Sequence, residues 1–215
     1  CIRDSARGTA ILFNNNIEYA ILHQHRDEDD NLLILEINAF NKYDFMLVNI
    51  YGQKRDTSNF YCSTSDHLSA FNGEFVIMAG NFNLVQEPAL DYFNYNNANN
   101  PESRKALLSL KELHGLVEPW RIIFDKLKIH TWSKSNPPKK ARLDFFLVSC
   151  ELMILIDKVK IGPGYKSNYA MIELYITYTK FERGKGFWKF NNSLLNDCVY
   201  VGQIKDTIRK CCFPI

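Results

Sequence analysis

The feature that most limits the possible folds is residues 75–83, which read Phe-Val-Ile-Met-Ala-Gly-Asn-Phe-Asn. An uninterrupted apolar run with turn residues on both sides is typical of a strand that is buried on both faces of a sheet. Gly80 ends the run, and Asn81 and Asn83 follow it on the same side of an extended chain. Two interpretations are open. The two amides form part of a functional site at the strand end, or they only cap backbone groups in a tight turn.

Apolar periodicity along the rest of the chain predicts an α/β domain with many short strands. The predicted strands are, in chain order, residues 9–13, 18–25, 32–39, 43–50, 130–132, 142–148, 158–161 and 170–176. Short polar connections join the first four strands, which favours an antiparallel meander. The predicted helices are residues 58–71, a helix from the N-cap Asn100 to Gly115, and a helix from the N-cap Ser149 to Ile156. The second helix has an apolar stripe of Ala106, Leu107, Leu110 and Leu113.

Composition places the chain among globular proteins. Its 215 residues are 46% hydrophobic, which is enough to build a substantial core in one domain. A net charge of +2 does not by itself indicate a partner. No apolar run reaches the roughly 18 residues that a membrane span needs, so no membrane partner is expected. The six cysteines include no CxxC pair, which favours a reduced intracellular protein.

The two ends of the chain predict its domain organisation. The first residue is Cys1, and strand-like sequence begins within the first ten residues, so we expect a piece of a longer protein that begins inside a domain. This domain is predicted to cover residues 1–178. Residues 179–215 begin with a basic and aromatic stretch, and they are predicted to form a linker or tail that leaves the domain.

Several single residues are candidates for chemistry, each with a plainer alternative. Tyr51 ends the fourth predicted strand and is either an ordinary edge aromatic or a phenol directed into the same site as Asn81. Asp144 interrupts an apolar run, so it must be paired, hydrogen-bonded or functional, because an unsatisfied buried carboxylate is costly. The basic loop at residues 134–142 is either solvated or holds a phosphate backbone. His23 and His25 are interpreted as half-exposed strand positions rather than metal ligands.

Five short motifs in a fixed order carry a resemblance to a known family. They are Asn49-Ile50-Tyr51, Gly80-Asn81-Phe82-Asn83, Thr131-Trp132, Arg142-Leu143-Asp144-Phe145 and Ser167-Asn168-Tyr169. With them the chain resembles, from about Gly8 to Ile176, the apurinic-endonuclease-like domain of LINE-type retrotransposons in the endonuclease/exonuclease/phosphatase superfamily. The resemblance implies an α/β two-sheet sandwich flanked by helices, here expected to lack its first strands. It also implies a nuclear enzyme that nicks target DNA with a divalent metal, usually Mg²⁺.

The family's catalytic residues are only partly present. Tyr51, Asn83 and Asp144 match the residues that contact phosphate, orient the water and orient a histidine. Asn81 and Asn168 stand where the family has Asp, and Tyr169 stands where it has His. An amide carries no charge and does not take up a proton, and a phenol does not become a cation near neutral pH.

The resemblance also implies two missing parts. The family's metal-binding Glu lies in an upstream segment that does not precede Gly8 here, so no intact metal site is expected. Residues 185–191 are similar to the stretch that leads toward the reverse transcriptase in such polyproteins, and that domain is expected to be missing. Taken together, these losses predict an enzyme-like fold that is catalytically impaired or dead.

Two other functions stay open at this stage. The first is a nucleic-acid-binding module without catalysis, in which the basic loop contacts DNA. Its predicted binding residues are Trp132, Lys134, Lys139, Lys140 and Arg142. The second is a hydrolase that is still active and uses Asp144 with another carboxylate.

Overall fold

The computed structural model of the chain describes residues 8–95, 100–164, 167–177 and 201–203. The chain divides into two compact units, Cys1–Tyr175 and Ile176–Ile215. In the second unit a helical turn is described at residues 201–203, and most of the predicted tail at residues 179–215 lies outside the described residues. Within the described part, no helix is both long and apolar enough to cross a membrane.

Eleven strands and four α-helices make up the described part of the chain. The strands are β1 (Tyr19–Arg26), β2 (Leu32–Ala39), β3 (Tyr43–Tyr51), β4 (Phe75–Asn81), β5 (Tyr92–Phe93), β6 (Leu116–Val117), β7 (Trp132–Lys134), β8 (Lys139–Ala141), β9 (Asp144–Ser149), β10 (Ile156–Gly162) and β11 (Met171–Ile176). The helices are α1 (Asn59–Ser69), α2 (Pro88–Asp91), α3 (Pro101–Leu113) and α4 (Pro119–Ile123), and a 3-10 helix spans Cys150–Leu155.

A six-stranded sheet with the order β1-β2-β3-β4-β9-β6 forms the centre of the first unit. β3 and β4 are parallel, and the other neighbouring strands in this sheet are antiparallel. Because side chains alternate across a sheet, the apolar strands β2, β3, β4 and β9 supply two separate cores. This agrees with the prediction that the strand at residues 75–79 is buried on both faces.

One face of the sheet packs on helices α1 and α3. This core contains Ile34, Val48, Met78 and Leu147 from the strands, together with Leu68, Leu107 and Leu110 from the helices. The predicted stripe of α3 is therefore correct at Leu107 and Leu110. It is wrong at Leu113, which is 71% exposed, because Leu113 is the last residue of the helix and points past the sheet.

The other face of the sheet is covered by smaller pieces. One three-stranded sheet has the order β5-β8-β7, and β10 pairs with β11 in a two-stranded sheet. Residues 9–13 were predicted as a strand and are irregular, although Ile11 and Phe13 still pack against Leu35 and Ile37 of β2. The predicted α/β class with more than one sheet is confirmed, and the basic loop at residues 134–142 forms a hairpin from β7 to β8.

The predicted N-caps hold in position but not in chemistry. Asn100 precedes α3, and Ser149 precedes the 3-10 helix, yet neither side chain caps the helix that follows it. The carboxylate of Asp56 instead accepts hydrogen bonds from the backbone N–H groups of Glu102 (3.3 Å) and Ser103 (2.8 Å). Ser149 Oγ accepts a hydrogen bond from the backbone N–H of Val76 at 2.7 Å, which joins β9 to the start of β4.

A buried ion cluster around Arg142 connects β8 and β9 to helices α2 and α4. Arg142 is 0% exposed, and its Nε and Nη2 atoms lie 2.7 and 3.0 Å from the two carboxylate oxygens of Asp91. The same guanidinium group donates to Glu118, and Arg121 forms a second ion pair with Asp91. The prediction that Arg142 contacts DNA is therefore wrong, because its side chain is enclosed and its donors are used inside the fold.

Replacing Arg142 tests this structural role. We expect Arg142→Met to lower the free energy of unfolding by about 3–5 kcal/mol, because it leaves two buried carboxylates short of a positive partner. The exposed Lys140→Met is the matched control and should change stability by no more than about 0.5 kcal/mol. Urea unfolding followed by circular dichroism measures both values, and equal stabilities for the two variants would contradict the assignment.

Candidate functional site

Strand register brings three of the predicted site residues into one row. Tyr51 at the end of β3 lies beside Asn81 at the end of β4, and Asn81 lies beside Asp144 at the start of β9. Residues in register on neighbouring strands share a face, so the three side chains leave the sheet on the side away from α1 and α3. The prediction of a common site at these strand ends therefore agrees with the fold.

Two glycines allow the backbone to pack tightly behind this row. A Cβ atom on Gly80, where φ is +141°, would lie 2.0 Å from the carbonyl oxygen of Ile50. A Cβ atom on Gly52 would lie 2.1 Å from the carbonyl oxygen of Phe82. Asn83 has a φ of 49°, a left-handed conformation that asparagine tolerates better than most residues. These positions accept glycine or asparagine because larger or branched residues would clash or be strained.

The two asparagines do cap backbone groups, as the plainer interpretation predicted. Asn81 Oδ1 accepts a hydrogen bond from the backbone N–H of Asn83 at 2.8 Å, and Asn83 Nδ2 donates to the Gly52 carbonyl at 2.5 Å. Asn81 also hydrogen-bonds through its side chain to Tyr169. The amide at position 81 is thus held on both sides by the protein, and its oxygen is already used as an acceptor.

Asp144 is the one carboxylate in the row, and Thr131 is its partner. The Thr131 hydroxyl donates to Asp144 Oδ2 at 2.7 Å and accepts the backbone N–H groups of Leu143 and Asp144 at 2.9 and 3.0 Å. Phe146 and Ile172 border the same space and limit its hydration. Burial raises the pKa of Asp144 to about 6, and the hydrogen bond from Thr131 only partly opposes this.

Tyr169 lies beside the row, where the resemblance implies a histidine. Its backbone pairs with Trp132 of β7, and its phenol is close enough to Asp144 and Tyr51 for their charges to influence its titration. Burial, followed by the effects of Asp144 and Tyr51, raises the pKa of Tyr169, so the phenol stays neutral at physiological pH. Asn168 is exposed, and its backbone carbonyl accepts a hydrogen bond from Ser133 at 2.9 Å.

Tyr95 joins the site although the sequence gave no reason to select it. Its ring packs edge-on against Trp132, with 5.5 Å between the ring centroids. Burial raises the pKa of Tyr95, and proximity to Tyr169 and Tyr51 adds to this effect. Tyr95 lies in an asparagine-rich loop, where the aromatic residue itself was the available signal. We call Tyr51, Tyr95, Trp132 and Tyr169 the aromatic cluster.

The register of the β7–β8 hairpin separates the predicted lysines. Lys134 pairs with Lys139, and Trp132 pairs with Ala141, so these residues share one face of the hairpin. Lys140 pairs with Ser133 on one side and with Phe93 of β5 on the other, so it lies on the opposite face. Lys134 and Lys139 therefore extend from the aromatic cluster, whereas Lys140 does not.

The donor set does not fit a divalent cation. Mg²⁺ is usually held through one or two carboxylates in octahedral geometry, and here the row offers a single carboxylate that already accepts from Thr131. The amide oxygen of Asn81 accepts a backbone N–H. Among the described residues, no group of three or more His, Cys, Asp and Glu side chains is arranged to hold a metal ion.

The fold and the position of the site define a class of protein. The strand-end site on a multi-sheet α/β domain is that of apurinic-endonuclease folds. AP endonuclease LMAP from Leishmania major has a TM-score of 0.60 at 17% identity, over 71% of this chain and 56% of that chain. The endonuclease domain of TRAS1, a telomere-specific non-LTR retrotransposon, has a TM-score of 0.58 at 12% identity, over 81% of this chain and 73% of that one. These similarities confirm the predicted fold.

A transposon protein is similar in sequence. The Transposon TX1 uncharacterized 149 kDa protein of Xenopus laevis is 23% identical over 212 residues, which cover 94% of this chain and 16% of that protein. No protein-family model matches the chain. The predicted resemblance to a retrotransposon endonuclease domain fits both the sequence relative and the solved folds.

Asp144 provides a test of the site's electrostatics. In the unfolded chain its carboxyl titrates near 3.8, and in the folded protein it titrates at about 6. Above pH 6 the fold must therefore hold a poorly hydrated anion, which lowers stability, and this penalty disappears as the pH falls below 4. We expect Asp144→Asn to be more stable than the natural chain at pH 7.5, by up to about 3 kcal/mol, and equally stable at pH 3.5.

Urea unfolding at the two pH values measures this difference. Asp29→Asn, which alters an exposed carboxylate, is the matched control and should show no such gain at pH 7.5. A lower stability of Asp144→Asn at pH 7.5 would mean that the ionised carboxylate has a partner that compensates for its burial.

Proposed function

We propose that this chain is a LINE-type retrotransposon endonuclease domain that has lost phosphodiester cleavage and keeps a surface for nucleic acid. The observation that carries the first half is the neutral row at the strand ends. Asn81 and Tyr169 hydrogen-bond to each other beside Asp144, where the resemblance implies an ionised aspartate and a histidine. The row therefore lacks the charges that the resemblance assigns to cleavage.

The missing charges bear on each requirement of phosphodiester hydrolysis. The reaction needs a base that takes the proton of water and positive charge near the phosphate oxygens. The Asn81 amide does not accept a proton, and the Tyr169 phenol, whose pKa is raised, supplies no positive charge. Asp144 could accept a proton above pH 6, but it faces Thr131 and a phenol rather than an imidazole.

A plasmid-nicking assay with Mg²⁺ or Mn²⁺ tests the loss of cleavage. We expect the natural chain to nick supercoiled plasmid no faster than Asp144→Ala, because no second carboxylate supports a metal or a base. The comparison protein carries Asn81→Asp, Asn168→Asp and Tyr169→His, which restore the family's residues at the three changed positions.

The outcomes of this assay separate the explanations. Nicking by the natural chain above the Asp144→Ala level would overturn the proposal and require an unrecognised metal ligand. Nicking by the restored protein alone would assign the loss to the three substituted positions. If both proteins are folded and inactive, the metal-binding Glu of the family is the next residue to supply.

The second half of the proposal is supported by the β7–β8 hairpin. Lys134 and Lys139 lie on the same face as Trp132, next to the strand-end row. Two cations beside a solvent-accessible aromatic ring suit a phosphate backbone that passes along the hairpin. The resemblance implies DNA as the family's target, and this face is the part of the predicted binding set that shares a surface with the site.

Salt-dependent binding tests this surface. We expect Lys134→Ala and Lys139→Ala each to weaken binding of a fluorescent DNA duplex and to reduce the slope of log K against log salt by about 0.9 for each lost phosphate contact. Lys140→Ala removes the same charge from the opposite face and is the matched control. An equal effect of all three substitutions would indicate a diffuse electrostatic interaction without a specific face.

A further inference from the structure

The aromatic cluster has a chemical character that differs from a phosphate site. Tyr169 is 39% exposed, and Tyr51, Tyr95 and Trp132 are half-buried, so each ring keeps some accessible surface. The phenols are neutral at physiological pH, because burial raises the pKa of Tyr95 and of Tyr169. The nearest charge is the carboxylate of Asp144, which repels a phosphate group and attracts no anion.

The contacts within the cluster place the rings around a common point. Tyr95 meets Trp132 edge-on, Trp132 pairs through its backbone with Tyr169, and Tyr169 is close to Tyr51. Trp132 and Tyr169 also border a depression of about 320 Å³, which is lined on its polar side by His130, Ser167 and Asn168. This volume lies at the lower end of the range for clefts that hold small planar ligands.

We propose that the aromatic cluster binds an unpaired nucleobase of a single-stranded nucleic acid. The inference rests on the proposed nucleic-acid surface and specifies its ligand. A base offers a neutral π-face for the rings, and its edge offers donors and acceptors for the amide of Asn81 and the phenol hydroxyls. A base inside a duplex has its faces covered by its neighbours, so the cluster favours the unpaired strand.

Charge complementarity around the cluster selects a nucleic acid over other aromatic ligands. Lys134 and Lys139 continue from Trp132 along the same hairpin face, at the side where the phosphates of a bound strand would lie. A neutral ring platform that leads into cations is the arrangement that single-strand binding uses, with stacking for the bases and positive charge for the backbone. An aromatic peptide would use the rings but leave the two lysines without a counterpart.

Fluorescence anisotropy with the full chain tests the proposal. The probes are a fluorescein-labelled single-stranded oligothymidine of 12 nucleotides and a 12-base-pair duplex, each titrated at low and at high salt. We expect the single strand to bind about tenfold more tightly than the duplex. Tyr95→Ala and Tyr169→Ala should each reduce single-strand affinity by about tenfold, because one stacked ring contributes on that order, with little change in the salt slope.

Matched variants separate stacking from loss of structure. Tyr169→Phe keeps the ring and should retain most of the affinity, and Tyr175→Ala removes an exposed tyrosine on β11 and should leave binding unchanged. Circular dichroism confirms that each variant is folded. Quenching of tryptophan fluorescence by the oligonucleotide, lost in Trp132→Phe, reports stacking directly.

The outcomes distinguish this inference from the broader proposal. Equal affinity for both probes, or single-strand affinity that is unchanged in Tyr95→Ala and Tyr169→Ala, overturns the base-binding role. If the duplex still binds through Lys134 and Lys139 in that case, the nucleic-acid surface stands without the base site. Absence of binding to either probe overturns both.

Discussion

The pairing of buried charges around Leu143 controls the stability of this fold and the chemistry of its site. Arg142, on one side of Leu143, donates to Asp91 and Glu118 inside the protein. Burial works against ionisation of Asp91, but the hydrogen bonds and charge of Arg142 outweigh it and lower the pKa of that carboxyl. Asp144, on the other side, has a threonine hydroxyl as its partner, and its pKa is raised to about 6. The difference between these two carboxylates is the presence of a cation.

This difference explains why an intact fold and an impaired site can occur in the same chain. The cluster that joins β9 to α2 and α4 is balanced, with two guanidinium groups facing two carboxylates. At the strand ends, the positions where the resemblance implies charged or protonatable groups hold amides and a phenol whose hydrogen bonds are satisfied locally. Preorganised charge is costly to keep in a folded protein and is the basis of electrostatic catalysis. A site freed from catalysis can lose that charge without loss of structure.

The sequence predicted the elements that depend on local pattern. The central strand, the strands around it, the two longer helices and the row of Tyr51, Asn81 and Asp144 follow from apolar periodicity and turn residues, together with the resemblance. Contacts between distant segments could not be predicted in this way. Asp91 and Glu118 lie far from Arg142 in sequence, so nothing near Arg142 distinguished a buried guanidinium from an exposed basic residue. The cap of α3 likewise comes from Asp56, and Tyr95 enters the site through a loop with no regular pattern.

The remaining carboxylate also constrains how a nucleic acid could lie on this surface. Above pH 6 Asp144 is an anion at the centre of the row, so a phosphate placed there would be repelled at short range in a poorly hydrated environment. The nearest favourable positions for phosphates are along Lys134 and Lys139 on the hairpin. A bound strand would therefore run with its backbone over the hairpin and its base turned toward the rings. This orientation is the reverse of what a phosphodiesterase needs, since cleavage requires the phosphate at the row itself. Loss of positive charge at one position is thus enough to exchange the parts of the ligand that the two regions favour.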